Sequence, residues 1–186
     1  MALSRRALLL TGSAALLAGA GGLALWPGLT RTPPGPLRSL DARTWSVLAS
    51  VAQAMCPGGD GLPSADELDI ASALDLTIST LHAADQAELK QGLLLLDNAL
   101  PGLLLDGRAQ PFSRADVDVR AATLLGWRTS RIGVRRQVFK ALRGLVMAAY
   151  WGHPRLYAAA GYPGPPDFGQ AQAPPDDLLA LAEVSL

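Results

Sequence analysis

From Asp41 to Gly161 the apolar residues of this chain recur every three or four positions, and no stretch of useful length alternates apolar with polar. That period marks one face of a helix, whereas a half-buried strand needs a period of two. Alanine and leucine dominate the same region, and both favour helix over strand. The chain is thereby confined to an all-α fold: a small helical bundle of five or six helices after an N-terminal signal or anchor segment.

The punctuation sets the helices. Asp41 is placed to cap a first helix with Trp45, Leu48, Ala52 and Met55 on one face. Pro57 ends it, because a proline pushes the residue before it out of the helical region. Ser64 and Glu67 have capping-box spacing and open a helix carrying Leu68, Ala71, Leu74 and Ile78. A further helix is expected from about Ala84 to Leu100, stopping at Pro101-Gly102. Ser113 and Asp116 suggest another start, ahead of Val117, Ala121, Leu124 and Leu125. The next stretch puts Val138, Phe139, Leu142, Leu145, Val146 and Ala149 on one face, and Arg136, Lys140 and Arg143 opposite. Gly152 and Pro154 end it, and a short turn from Pro154 to Ala160 stops at Gly161.

The first 26 residues are an address rather than part of the bundle. Arg5 and Arg6 precede an uncharged apolar run from Ala7 to Trp26, the layout of an export signal. Ser4, Arg5, Arg6, Leu8 and Leu9 fit the twin-arginine (Tat) pattern. The run is also about long enough to span a bilayer, so an uncleaved anchor is the other reading. Residues 27–40 are rich in Pro and Gly and read as an extended linker. The expected organisation is a signal or anchor over 1–26, a linker over 27–40, a helical domain over 41–168 and a C-terminal tail over 169–186.

Net charge is zero, so no overall field draws the protein to nucleic acid or an acidic membrane. The charges are nevertheless segregated. From Asp60 to Asp106 there are nine acids and one base, Lys90; from Arg114 to Arg143 there are eight bases and two acids. Either the helices bridge one another, or a basic surface meets a partner. In an unbroken helix from Leu124 to Ala149, Arg128, Arg131 and Arg135 would lie along the apolar stripe. A buried unpaired Arg is not tolerated, so either Gly126 or Gly133 breaks the helix or these guanidiniums meet acceptors at an interface. Cys56 is the single cysteine, which excludes an internal disulfide. It is either a buried inert thiol or one available to another chain.

Chemistry-bearing motifs are missing. The chain has only His82 and His153, and only Glu67, Glu88 and Glu183 as glutamates. There is no Glu-x-x-His pair, no His-Glu-x-x-His, no Gly-x-Ser-x-Gly and no phosphate-cradling glycine loop. The chain therefore reads as non-catalytic, with no flavin, haem or metal of its own.

All three tyrosines fall between Tyr150 and Phe168, among turn-forming glycines and prolines. Tyr162-Pro163-Gly164-Pro165 fits a type II turn, with Pro second and Gly third. These rings either dock on another protein or fold back on the chain's own core. The motifs Tyr150-Trp151-Gly152-His153-Pro154 and Gly161-Tyr162-Pro163-Gly164-Pro165 resemble the gluconate 2-dehydrogenase subunit 3 family. The run from Arg135 to Leu142 fits that family's Arg/Phe/Leu pattern, and the Trp45–Pro57 helix looks like its leading segment. Where the family usually has Ile-Pro, this chain has Cys56-Pro57.

The resemblance covers most of residues 41–168. It implies a non-catalytic small subunit that bears the Tat signal and escorts a folded partner to the periplasm, held at the inner membrane. The implied partner is a large FAD-containing dehydrogenase of the glucose-methanol-choline (GMC) type, often accompanied by a multihaem cytochrome c. The expected interface comprises Tyr150, Trp151, Pro154, Tyr157, Gly161, Tyr162, Pro163, Gly164 and Pro165, together with Arg128, Arg131 and Arg135. A stand-alone membrane-anchored envelope protein with a structural role is the alternative.

Overall fold

The structure, a computed structural model, describes Gly22 and residues 27–165. Ser4, Arg5, Arg6, Leu8 and Leu9 of the signal, and the tail 169–186, lie outside the described residues. Within them are six α-helices and no strands: α1 (Ala42–Met55), α2 (Ile70–Ser79), α3 (Ala83–Asp97), α4 (Ala99–Asp106), α5 (Val117–Arg128) and α6 (Gly133–Trp151). Two 3₁₀ turns, Phe112–Arg114 and Pro154–Leu156, complete the set.

The helix α1 is the axis of the bundle. Asp41 caps it as expected: its carboxylate accepts the Thr44 N–H at 2.8 Å, and the Thr44 hydroxyl accepts the Asp41 N–H at 3.2 Å. Nine successive residues, Thr44 to Ala52, are buried, so this helix is enclosed on every side rather than amphipathic. It packs on α2, α3, α5 and α6. Two serines survive in that core because their hydroxyls donate back to the preceding turn, Ser46 to Ala42 O at 2.6 Å and Ser50 to Ser46 O at 2.9 Å.

Ser64 and Glu67 do form the reciprocal pair of bonds, at 3.2 and 3.3 Å. Yet the helix proper begins only at Ile70, because Asp69 sits in the left-handed region at φ 48° and interrupts the first turn. Leu68, Ala71, Leu74 and Ile78 are buried.

The expected helix from Ala84 to Leu100 is corrected by the structure. It ends at Asp97, and Asn98 caps a new helix, α4, by accepting the Leu100 N–H at 2.9 Å. Pro101 and Gly102 lie inside α4. Pro101 is the third residue of its helix, where the backbone N–H has no helical partner to lose, so proline is accommodated there rather than acting as a stop.

The unbroken helix from Leu124 to Ala149 is not formed. The chain leaves the helix after Arg128 and re-enters it at Gly133. On α6, Leu142 and Val146 are fully buried, with Val138, Phe139, Leu145 and Ala149 packed partly against them.

Residues 27–40 are not a free linker, and leaving them out of the fold is the second correction. Asp75, in the middle of α2, is buried and accepts the backbone N–H groups of Arg38, Ser39 and Leu40 at 2.6, 3.0 and 2.7 Å. The Arg31 N–H donates to Ser46 at 2.8 Å, and the Leu29 N–H donates to Ser113 at 2.7 Å. A segment without helix or strand must satisfy its N–H groups elsewhere, and here buried side chains of the bundle do so. No helix among the described residues is long and apolar enough to cross a membrane.

Candidate docking surface

The end of α6 divides its aromatic residues between inside and outside. Tyr150 is 4% exposed, and its hydroxyl donates to Pro63 O at 2.7 Å. Burial pushes its phenol above the ordinary tyrosine range, helped by the neighbouring Cys56 and Glu67. One residue on, the helix turns Trp151 outward to 44% exposure, and the two rings meet edge to face at 5.4 Å. Successive helical residues are about 100° apart, which suffices to put one ring in the core and the next in solvent.

The chain then reverses in a compact knot. The His153 Nδ1 accepts the Arg155 N–H at 3.3 Å and caps the 3₁₀ turn. Leu156 is fully buried and pins that turn to the core. The Tyr162 N–H donates to Tyr157 O at 2.8 Å, and the two rings pack edge to face with centroids 5.0 Å apart. Gly161 and Gly164 have φ of 65° and 100°, and the latter is what the third position of a type II turn requires. Tyr162 is 43% exposed, Tyr157 is half-buried, and Pro154, Gly161, Pro163 and Pro165 face solvent.

The three arginines separate likewise. Arg128 and Arg131 are exposed. Arg135 is 7% exposed, is ion-paired with Asp106, and lies 4.8 Å over the Trp127 ring. Trp127 in turn donates its Nε1–H to Asp106 at 3.4 Å. Arg135 therefore belongs to the chain's own interior, which corrects its placement on an interface. The first route out of the buried-arginine problem is used, since the helix breaks between Arg128 and Gly133, and the one guanidinium that stays buried finds an acceptor within the chain rather than at an interface.

Three ion pairs occur among the described residues, and only Arg135–Asp106 joins the acidic block to the basic one. Bridging between helices thus leaves most of the segregated charge unpaired on the surface. Two buried acceptors, Asp75 and Asp97, and the nearly enclosed Asp106 look in sequence like surface charge only. Asp97 is 1% exposed and accepts the Ser113 N–H at 2.9 Å. A usable signal existed for Asp75, an acid lodged beside Leu74 and Ile78 in an apolar stripe.

Cys56 is 6% exposed, and burial pushes its thiol up to about 11. Only the thiolate attacks, so at pH 8 a thiol this high is about a hundredfold less ionised than a free one. The native protein is expected to resist a thiol reagent such as dithionitrobenzoate and to react fully once unfolded in guanidinium. Rapid stoichiometric labelling of the folded chain would return Cys56 to the list of groups open to another protein.

No group of three or more potential metal-ligating His, Cys, Asp or Glu side chains occurs among the described residues. Among known proteins, the family model described as gluconate 2-dehydrogenase subunit 3 matches residues 42–164 of the chain. Searches of curated proteins and of solved structures return no match.

Proposed function

The chain belongs to the gluconate 2-dehydrogenase subunit 3 family, and from that premise we propose that it serves as the non-catalytic small subunit of a periplasmic, membrane-associated FAD-dependent dehydrogenase of the GMC type. In this reading the FAD resides in the large subunit, and a multihaem cytochrome c accepts the electrons. The small subunit stabilises the large one and carries it, already folded, through the Tat pathway on the signal around Arg5 and Arg6.

The observation that carries the reading is the two-sided tail. Tyr150 and Leu156 anchor it in the core, while Trp151 and Tyr162 stay outside on a backbone stiffened by Pro163 and Pro165. Rings held this way present rigid apolar area with a polar tip, and they lose little entropy on docking. Trp151 and Tyr162 are 44% and 43% exposed, which leaves part of each ring free to meet another protein.

Trp151→Ala with Tyr162→Ala is expected to release the dehydrogenase subunit while leaving this chain folded. Buried aromatic anchors at interfaces commonly cost about 2 kcal/mol or more on truncation, roughly a thirtyfold loss of affinity. Co-purification reads the first effect, and circular dichroism with thermal melting reads the second. A folded variant that holds the partner at wild-type affinity would move the docking surface elsewhere.

A further inference from the structure

A cavity of about 140 Å³ lies between the end of α3, α4 and the start of α6, and no residue of the aromatic knot lines it. Leu96, Pro101 and Trp127 wall it. Leu95, Leu105, Ile132 and Val134 also line it and are exposed, so the cavity reaches the surface. Two arginines, Arg108 and Arg135, belong to the same lining, and both are more than nine-tenths buried. Arg108 lies against Gly102, where a Cβ would meet its Nη2 at 2.7 Å. Its Nη2 donates to Leu96 O at 2.9 Å, and its Nη1 donates to Gln110 O. Arg135 is paired with Asp106, the one acid of the lining. In each arginine the Nε–H has no acceptor among the described residues.

A buried donor without an acceptor costs free energy, and two of them beside one cavity call for an acceptor inside it. Water fits poorly, because a bound water needs about two to four polar partners and most of this lining is apolar. Cavities of about 150 Å³ with apolar walls stay dry and accept a benzene ring. Charge points the same way. Two carbonyls, not a carboxylate, meet the Arg108 guanidinium. Asp106 is held by Arg135 and Trp127, and Asp97 lies 3.9 Å from Arg43. Burial lowers the Arg108 pKa; Asp106 and Asp97 offset part of that, and Arg135 adds to it. One further negative charge would therefore be welcome beside Arg108. We propose that this cavity binds a small organic monoanion, an aromatic carboxylate of about benzoate size, with its ring against Trp127 and the leucines and its carboxylate at Arg108 and Arg135. A planar carboxylate matches the guanidinium fork, and Asp106 is already neutralised by its own pair. The proposal does not rest on the dehydrogenase partner.

The test is calorimetric titration of the full chain with sodium benzoate, benzyl alcohol and sodium acetate. Benzoate is expected to bind saturably, one per chain, with a Kd of roughly millimolar or tighter. Benzyl alcohol keeps the ring without the charge and acetate the charge without the ring, so each should bind about tenfold more weakly or worse. Val134→Trp sets a large side chain at an exposed position of the lining, where the fold tolerates it. It should weaken benzoate binding about tenfold or more while thermal unfolding stays unchanged. Arg108→Met should erase the preference for benzoate over benzyl alcohol. If Arg108→Met does not fold, Val134→Trp and the two comparison ligands still decide. Absence of saturable benzoate binding would leave only water in the cavity and overturn the proposal. Equal affinity for benzyl alcohol would make the cavity merely apolar, and benzoate binding undiminished in Val134→Trp would place the anion elsewhere; either result would overturn it as well.

Discussion

Asp106→Ala is expected to destabilise the folded chain by about 3–5 kcal/mol, the cost of leaving a buried charge without its partner. Arg135 and Asp106 are almost wholly enclosed, with side chains 8% and 11% exposed. The Arg135 Nε already lacks an acceptor, and the loss of Asp106 would leave the guanidinium with the Trp127 face as its main compensation. Such a loss is a third or more of the stability of a typical small domain. Replacing both members, Asp106→Leu with Arg135→Met, should recover most of it, because the pair then has no charge left to desolvate. Urea unfolding of the two variants reads the difference. A cost below about 1 kcal/mol for Asp106→Ala would mean that the pair is solvated, and Arg135 would again become a candidate for contact with another protein.

The second large effect concerns export. Arg5→Lys with Arg6→Lys is expected to abolish periplasmic delivery both of this chain and of a catalytic partner that has no signal of its own. In the proposed reading Arg5 and Arg6 form an address recognised by a receptor, so keeping the positive charge should not keep the recognition. Dehydrogenase activity in periplasmic fractions, with total partner protein measured by immunoblot, gives the outcome. Undiminished activity in the periplasm would defeat the escort role while leaving the subunit role standing.

How far the sequence spoke for the fold depended on whether the decisive partner lay nearby in the chain. The Asp41 cap was legible because its bond to Thr44 spans three residues. The Ser64–Glu67 pair was legible as a pair, but the left-handed Asp69 that delays the helix was not. Pro101 misled because a proline in the first turn of one helix looks, in sequence, like the end of the previous one. The docking of residues 27–40 on Asp75 joins positions 35 to 37 apart, and no local pattern announces such a bond.

The same distinction divides the candidate surface. Sequence could gather Tyr150, Trp151, Tyr157 and Tyr162 into one stretch, since their clustering is local. It could not sort them, because inward and outward are decided by what α6 packs against, including the Pro63 carbonyl that receives the Tyr150 hydroxyl. Arg135 was grouped with Arg128 and Arg131 by spacing alone, and its Asp106 partner lies 29 residues away. Trp151, Gly161, Tyr162, the prolines of the knot, Arg128 and Arg131 face outward with Tyr157 half-buried among them, whereas Tyr150 and Arg135 lie inside.

The central claim is that this chain is the small partner of a flavoprotein dehydrogenase. It is tested most directly by co-expressing the tagged chain with a candidate GMC-type flavoprotein subunit from the same organism and passing the affinity eluate over a sizing column with in-line absorbance. The account predicts one peak holding both chains in equal amounts, with flavin absorbance following the large subunit, and no chromophore on the small chain purified alone. A small chain that elutes by itself while the flavoprotein remains soluble, active and exported without it would contradict the account.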